Sequence, residues 1–520
     1  PVRQRKAVLT RPLYAAKEDG HPSDMPQTSG MKPTLDKDLS KVGQIEQASH
    51  SVGRTLLMPG LALVFIAVCA VFATTVTGSA PQSYIIVVAA AVGAYMALNI
   101  GANDVANNVG PAVGSKALSM MGALAIAAVC ESAGALIAGG DVVGTVSKGI
   151  IDPAGLADSR TFILLMMSAL ISAALWINLA TVVGAPVSTT HSIVGGVAGA
   201  GIAAAGIGAV NWPTMGQIAA SWVISPVLGG IVAALFLAFI KTAIIYQDDK
   251  IAAARRWVPL LVAIMAGAFS TYLATKGLKH IMKIDLQTAA LIGLGAAVLT
   301  WLISSPLIKR QSQGMENRNK SLRELFKLPL IFSAALLSFA HGANDVANAI
   351  GPLAAIVTTA QSGAVAAKVG IPLWVMAIGA LGISFGLVMF GPKLIRMVGD
   401  QITKLNPMRA FCVALSAAIT VIVASAFGLP VSSTHIAVGA VFGVGFFREW
   451  YTANSKRRRD YIARNPSNPD RETAPTNDQP RYRRLVRRHH FMTIIAAWLV
   501  TVPAAGVLSA GLYLVFSMLG

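Results

Sequence analysis

Long apolar runs separated by short polar connections dominate the chain, and a helix that crosses a bilayer core needs roughly 20 apolar residues. Such runs fall at 56–77, 83–100, 120–139, 161–183, 188–208, 217–246, 257–275, 286–306, 329–351, 371–391, 409–428, 431–447 and 491–518. The pattern predicts an all-α, polytopic membrane protein with about 12–13 transmembrane helices. Two of the runs, 188–208 and 431–447, are short, rich in Gly and Ala, and begin directly after a Pro-Val-Ser sequence. They predict broken or re-entrant helices rather than full spans.

The polar stretches divide the chain further. Residues 1–55 carry Pro, Gly, Ser and charge without apolar periodicity, which predicts a disordered tail, and Met31 is a candidate start. That tail is too long and mixed for the basic end of a secretory signal. Residues 56–80 then form an additional span, 81–306 a first half with connecting helices, and 307–328 a basic loop. A second half follows over 329–447, a basic loop over 448–490 and a last helix over 491–520. The 448–490 segment reads as flexible, with anionic lipid headgroups as the sharper alternative partner for its basic residues.

Charge fits this division. Only 12% of residues are charged and 54% are hydrophobic, with a mean hydropathy of +0.63, whereas soluble domains carry about 25% charged residues. The net charge of +19 sits in tails and loops rather than on a folded basic face, which argues for membrane orientation and against nucleic acid as a partner. Lys250, Arg255 and Arg256, the cluster from Lys309 to Lys327, and the run Lys456 to Arg459 with Arg483, Arg484, Arg487 and Arg488 all fall in even-numbered connections. By the positive-inside rule those connections are cytoplasmic, with Lys276, Lys279 and Lys283 as a local exception on the other side. Cys69, Cys130 and Cys412 lie in apolar stretches without metal or redox spacing and read as buried small residues.

An internal repeat overlies the spans. GANDVANNVGP at 101–111 recurs as GANDVANAIGP at 342–352, and APVSTTHSIVGG at 185–196 recurs as LPVSSTHIAVGA at 429–440. The second copies start 241 and 244 residues after the first, so the chain is a duplication of nearly equal halves. An odd number of spans between the copies turns the second one upside down, and inverted-topology repeats place a transport site near the midplane where the copies meet.

Within the first signature, Asp104 and Asp345 stand in apolar surroundings where an ionised side chain costs about 2.5–3.5 kcal/mol. Asn103, Asn107, Asn344 and Asn348 flank them, and this set of amide and carboxylate oxygens suits a hard cation such as sodium. Interhelical hydrogen-bond glue is the plainer alternative for a single copy of such residues, and the duplication weighs further against it and towards a site. In the second signature, Pro186 and Pro430 interrupt a helix and the residues that follow suit a new helix start. Free N–H groups, the positive dipole end and the hydroxyls of Ser188, Thr189, Thr190, Ser432, Ser433 and Thr434 make that start an anion site. Carboxylates beside an anion suggest a ligand bearing its own protons: phosphate P–OH groups donate to Asp104 and Asp345 while its bare oxygens accept from hydroxyls. Sulfate has no proton to offer.

Glu131 is read as a cation ligand or proton carrier, His191 and His435 as side chains orienting the hydroxyls, and His341 as a packing residue. No nucleophile, base and orienter converge in sequence beyond the Ser and His of the repeated motif, so no enzyme and no cofactor are expected.

At these motifs the chain resembles the inorganic phosphate transporter (PiT) family, over roughly residues 80 to 520. The paired GANDVAN and PVS(T/S)TH segments carry the resemblance. It implies secondary active symport of phosphate with sodium or a proton, an inverted-repeat fold, and homodimers in some members. It also implies a multi-pass protein of the plasma membrane, in bacteria the inner membrane, or of a plastid envelope. By the same resemblance Asp104, Asp345 and the two hydroxyl clusters bind phosphate, the four asparagines and Glu131 serve the coupling cation, and sodium has candidate ligands in Asn103, Asp104, Asn344 and Asp345. The chain departs from relatives with an acid in both halves, because ISFG at 383–386 aligned on ESAG at 131–134 puts Ile383 opposite Glu131. A sulfate or other oxyanion permease and a passive anion channel are the alternatives.

Overall fold

The computed structural model describes residues 56–78, 82–152, 156, 158–185, 187–277, 284–365, 370–401, 405–464 and 488–519. Met58–Gly520 forms one compact unit, and of the other, Pro1–Leu57, only the last two residues are described. The expectations for the N-terminal tail, Met31, Pro186, Lys279 and Lys283 lie outside the described residues.

Helices α1 (Leu56–Thr77), α2 (Ser83–Gly114) and α3 (Met120–Ala138) lead into a short α4 (Gly140–Gly144), which continues as a π-helical turn, Thr145–Gly149. There follow α5 (Ser159–Val183), α6 (Thr189–Ala205), α7 (Trp212–Ile240), α8 (Lys250–Lys276), α9 (Leu286–Gln311) and the short α10 (Asn319–Leu325). The second half holds α11 (Lys327–Ser362), α12 (Leu373–Gln401), α13 (Pro407–Ala426), α14 (Ser433–Asn454), α15 (Lys456–Arg464) and α16 (Arg488–Leu519). Among the described residues the only β pairing is an isolated bridge between Ile151 and Val210.

Eleven of these helices are long and apolar enough to cross a membrane. The two doubtful runs are α6 and α14, which stand apart from the eleven and begin inside the molecule at buried Ser188 and Ser432. The helices before them end sooner than the prolines require. Gly184 and Gly428 adopt left-handed backbone conformations, with φ of 80° and 67°, which glycine takes without steric cost. The expected basic loop 448–490 is partly helical: α14 runs on to Asn454, and α15 follows, held by burial of Tyr461. Its remainder, 465–487, lies outside the described residues.

The packing repeats as the sequence does. α2 lies against α12 as α11 lies against α3, α6 against α16 as α14 against α7, and α5 against α16 as α13 against α7. Gly101 of the first GANDVAN abuts the Ile383 carbonyl, and Gly342 of the second abuts the Glu131 carbonyl. A Cβ at either position would collide with backbone, so each glycine is fixed by a close helix approach. These contacts pair Glu131 with Ile383 as equivalents, in agreement with the sequence alignment.

The two copies are inverted. Gly93 on α2 meets Leu353 on α11, whereas Asp104, later on α2, lies beside His341, earlier on α11. The two GANDVAN helices therefore run antiparallel. Two equivalent pairs touch each other and mark the axis relating the halves: Ser132 and Ser384, with hydroxyls 2.7 Å apart, and His191 and His435, with rings 4.4 Å apart. Enclosure follows from this layout. α2, α5, α11 and α13 are the most buried spans, while α1, α9 and α16 are outermost and carry exposed apolar side chains suited to lipid.

Candidate functional site

The motif residues converge where the GANDVAN helices α2 and α11 meet the N-termini of α6 and α14. Ser188 and Ser432 act as N-caps, accepting the N–H of His191 at 3.0 Å and of His435 at 3.2 Å. The hydroxyls that follow point at the carboxylates. Thr189 donates to Asp104 at 3.0 Å and Thr434 to its other oxygen at 2.8 Å. Ser433 donates to Asp345 at 2.8 Å and Thr190 at 3.3 Å. Each aspartate thus takes one hydroxyl from its own half and one from the other, and both are 1% exposed.

The asparagines tie this core to its surroundings. Asn107 donates to Thr434 at 2.8 Å and Asn348 to Thr190 at 3.1 Å, again as equivalents. Asn103 donates to Thr181 and Asn344 to Ser425, at 2.9 and 2.8 Å. The symmetry breaks at the amide oxygens. Asn344 Oδ1 accepts the Val431 N–H at 3.2 Å, but Asn103 Oδ1 is buried without a partner.

A second break surrounds His341. Its Nε2 lies 2.8 Å from Asp345 and 3.7 Å from Asp104, and its Nδ1 lies 3.3 Å from Glu131. Oxygens of Asp104 and Asp345 and a nitrogen of His341 all fall within 4.8 Å of one another. Glu131 in turn accepts from Asn108 at 2.8 Å, and all three residues of this branch are 1% exposed or less. The equivalents of Glu131, Asn108 and His341 in the other half are Ile383, Ala349 and Ile100, so the polar branch exists on one side only.

The structure thus gathers Asp104, Asp345, Thr189, Thr190, Ser433, Thr434 and the four asparagines, and it adds Glu131 through Asn108 and His341. His191 and His435 are placed differently from the expectation. Their ring nitrogens make no hydrogen bond to the hydroxyls; His191 packs on Trp222 and His435 on Trp498, with ring centroids 3.8 and 3.7 Å apart. His341, expected as a packing residue, instead sits among three carboxylates, and Asn108, Thr181 and Ser425 join the network beyond the expected set. Thr181 and Ser425 lie 244 residues apart, the spacing of the second signature, and that recurrence was the available signal.

The geometry offers acceptors to a cation and, from two opposed helix N-termini, donors to an anion. Residues 100–509 match the model of the phosphate transporter family. The chain belongs to that family. Its relatives include a protein of Helicobacter pylori named "Putative phosphate permease", 51% identical over 424 residues, 81% of this chain and 80% of that one. A protein of the same description from Pyrococcus furiosus is 36% identical over 435 residues, 84% of this chain and 97% of the relative. A solved structure described as the sodium-dependent phosphate transporter superposes with a TM-score of 0.73 at 34% identity, covering 84% of this chain and all of the other. Family, relatives and fold agree on a multi-pass membrane protein that transports phosphate.

Proposed function

We propose that the chain imports inorganic phosphate by symport with sodium, through alternating access about the axis between its halves. The observation that carries this reading is the crossed pairing at the centre, in which Asp104 and Asp345 each hold hydroxyls from both repeats. Because the donors span the two halves, whatever takes them over draws the halves together.

Coupling follows from a competition for those donors. Hydroxyls engaged by carboxylates are turned away from an anion. A sodium ion on the carboxylates, assisted by the buried and unpartnered oxygens of Asn103, Asn348 and Glu131, replaces the hydroxyl protons and frees Thr189, Thr190, Ser433 and Thr434 for phosphate. The cation also offsets the repulsion between carboxylates and anion, and by linkage the anion tightens the cation. Phosphate retains P–OH groups near neutral pH that donate back to Asp104 and Asp345, which favours it over sulfate. The buried carboxylate and amide oxygens beside the centre and the sodium dependence named for the structural neighbour both support sodium as the partner.

The breaks from α5 to α6 and from α13 to α14 act as a first and a second hinge and support an access cycle. The second hinge, 426–431, is clamped: Lys276 donates to the Ala426 carbonyl at 3.0 Å and pairs with Asp141 at 2.8 Å, Thr145 donates to the Gly428 carbonyl at 2.7 Å, and Val431 donates to Asn344. The first hinge leaves Asn103 Oδ1 without the matching bond, and Val182 and Val183 are exposed. In an inverted pair these hinges open to opposite faces. This conformation accordingly reads as sealed on the Lys276 face and ready to open on the face of the basic loops.

Phosphate uptake into proteoliposomes under separate sodium and pH gradients tests the proposal. An inward sodium gradient is expected to concentrate phosphate, and unlabelled sulfate to compete poorly. Uptake driven by pH alone would assign the proton, and equilibration without accumulation would assign a passive channel.

A further inference from the structure

The basic end of the molecule carries a feature that transport does not use. Between α7 and α8 a lipid-facing groove of about 400 Å³ is lined by Val232, Phe236 and Phe239 on one wall and Trp257, Leu261 and Ile264 on the other. Phe239 and Trp257 close its lower end edge to face, with centroids 5.1 Å apart. Exposed Arg256 lies over the Trp257 ring, 5.3 Å from its centroid, which holds a cation at the mouth of an apolar slot.

α15 adds charge at the same end. Its buried Tyr461 packs edge-on to Tyr246, with centroids 5.5 Å apart, and Lys250 Nζ lies 5.6 Å from the Tyr461 ring. The helix is thereby fixed against the turn joining α7 to α8. Five of its nine residues are basic and one is acidic, and Lys456, Arg457 and Arg459 are exposed. A short helix with a buried aromatic and a basic outer face is suited to the headgroup layer.

We propose that the groove and α15 together form a binding site for an anionic phospholipid, with an acyl chain between α7 and α8 and the headgroup phosphate at Arg256 and the exposed face of α15. Charge complementarity selects the anionic lipid: a zwitterionic headgroup brings its own cation to a patch already crowded with them, whereas an anionic headgroup is attracted by each basic residue near it. A second copy of the chain is the weaker occupant, because a two-fold partner there would set this basic end against its own image.

Native mass spectrometry of the purified protein tests the site with phosphatidylglycerol and phosphatidylcholine of matched acyl chains. Wild type is expected to retain phosphatidylglycerol at least tenfold better. The variant R256Q/K456Q/R457Q/R459Q is expected to lose that preference while keeping the wild-type melting temperature, and L235W, which fills the lipid-facing wall of the groove, to lose retention of both lipids. Equal retention of the two lipids by wild type, or a preference unchanged in the quadruple variant, would overturn the proposal. So would a dimer lost in L235W while lipid retention stays intact, which would give the groove to a second copy.

Discussion

Asp104 and Asp345 lie side by side, and the cost of burying two carboxylates is met by hydroxyl and amide donors rather than by lysine or arginine. Donors of this strength contribute about 1.5–3 kcal/mol each when the acceptor is charged. Asp104→Asn is therefore expected to abolish sodium-driven uptake in vesicles, and unchanged uptake would refute its role. Thr434→Val and Thr190→Val remove equivalent donors and are expected to lower kcat/KM for phosphate by similar factors, on the order of 10- to 100-fold. A large loss from one with none from the other would mean that the two halves do not share the ligand. Glu131 stands on the side that has no mirror. Glu131→Gln keeps an acceptor for Asn108 but removes charge beside His341, so the half-saturating sodium concentration is expected to rise several-fold with less effect on that for phosphate. An unchanged sodium dependence would leave Glu131 a packing partner.

At the level of elements, the helix breaks make the site. Gly184 and Gly428 end α5 and α13, Ser188 and Ser432 start α6 and α14, and the residues between present helix N-termini inside the molecule instead of at a surface. The clamp on the second hinge belongs to the same scale. Lys276 joins the ends of α8, α4 and α13, and its carboxylate partner is about a quarter exposed, so the pair contributes little to stability on its own. Its consequence is the balance between states. Lys276→Met is expected to raise the labelling rate of a cysteine placed at Ser425 by a membrane-impermeant thiol reagent added on the face opposite the basic loops. A rate equal to that of the intact clamp would show that Lys276 does not hold this face shut.

For the molecule as a whole, the apolar runs and two repeated signatures were enough to anticipate the all-α class, the inverted duplication and a new helix start behind each Pro-Val-Ser, although α14 runs longer than its apolar run implies. Those features are local or periodic. The polar branch through Asn108, Glu131 and His341 was not legible, because His341 meets Glu131 from a helix 210 residues away and its role depends on the Gly342 contact that brings α11 onto α3. The Lys276–Asp141 pair was equally hidden, since Lys276 stood out only as an exception to the loop charges and nothing near it in sequence names a partner. α15 was missed for a different reason: a highly charged segment lacks apolar periodicity, and a single tyrosine packed on Tyr246 supplies its anchor.

The central claim is that one pair of aspartates, shared by two inverted halves, couples a cation to phosphate, and equilibrium binding of radiolabelled phosphate to the purified protein across a sodium series tests it most directly. The account predicts that sodium tightens phosphate binding at least tenfold, that phosphate tightens sodium by the same factor, and that Asp345→Asn removes both effects. Phosphate binding indifferent to sodium in the wild type, or a sodium effect that survives in Asp345→Asn, would contradict it.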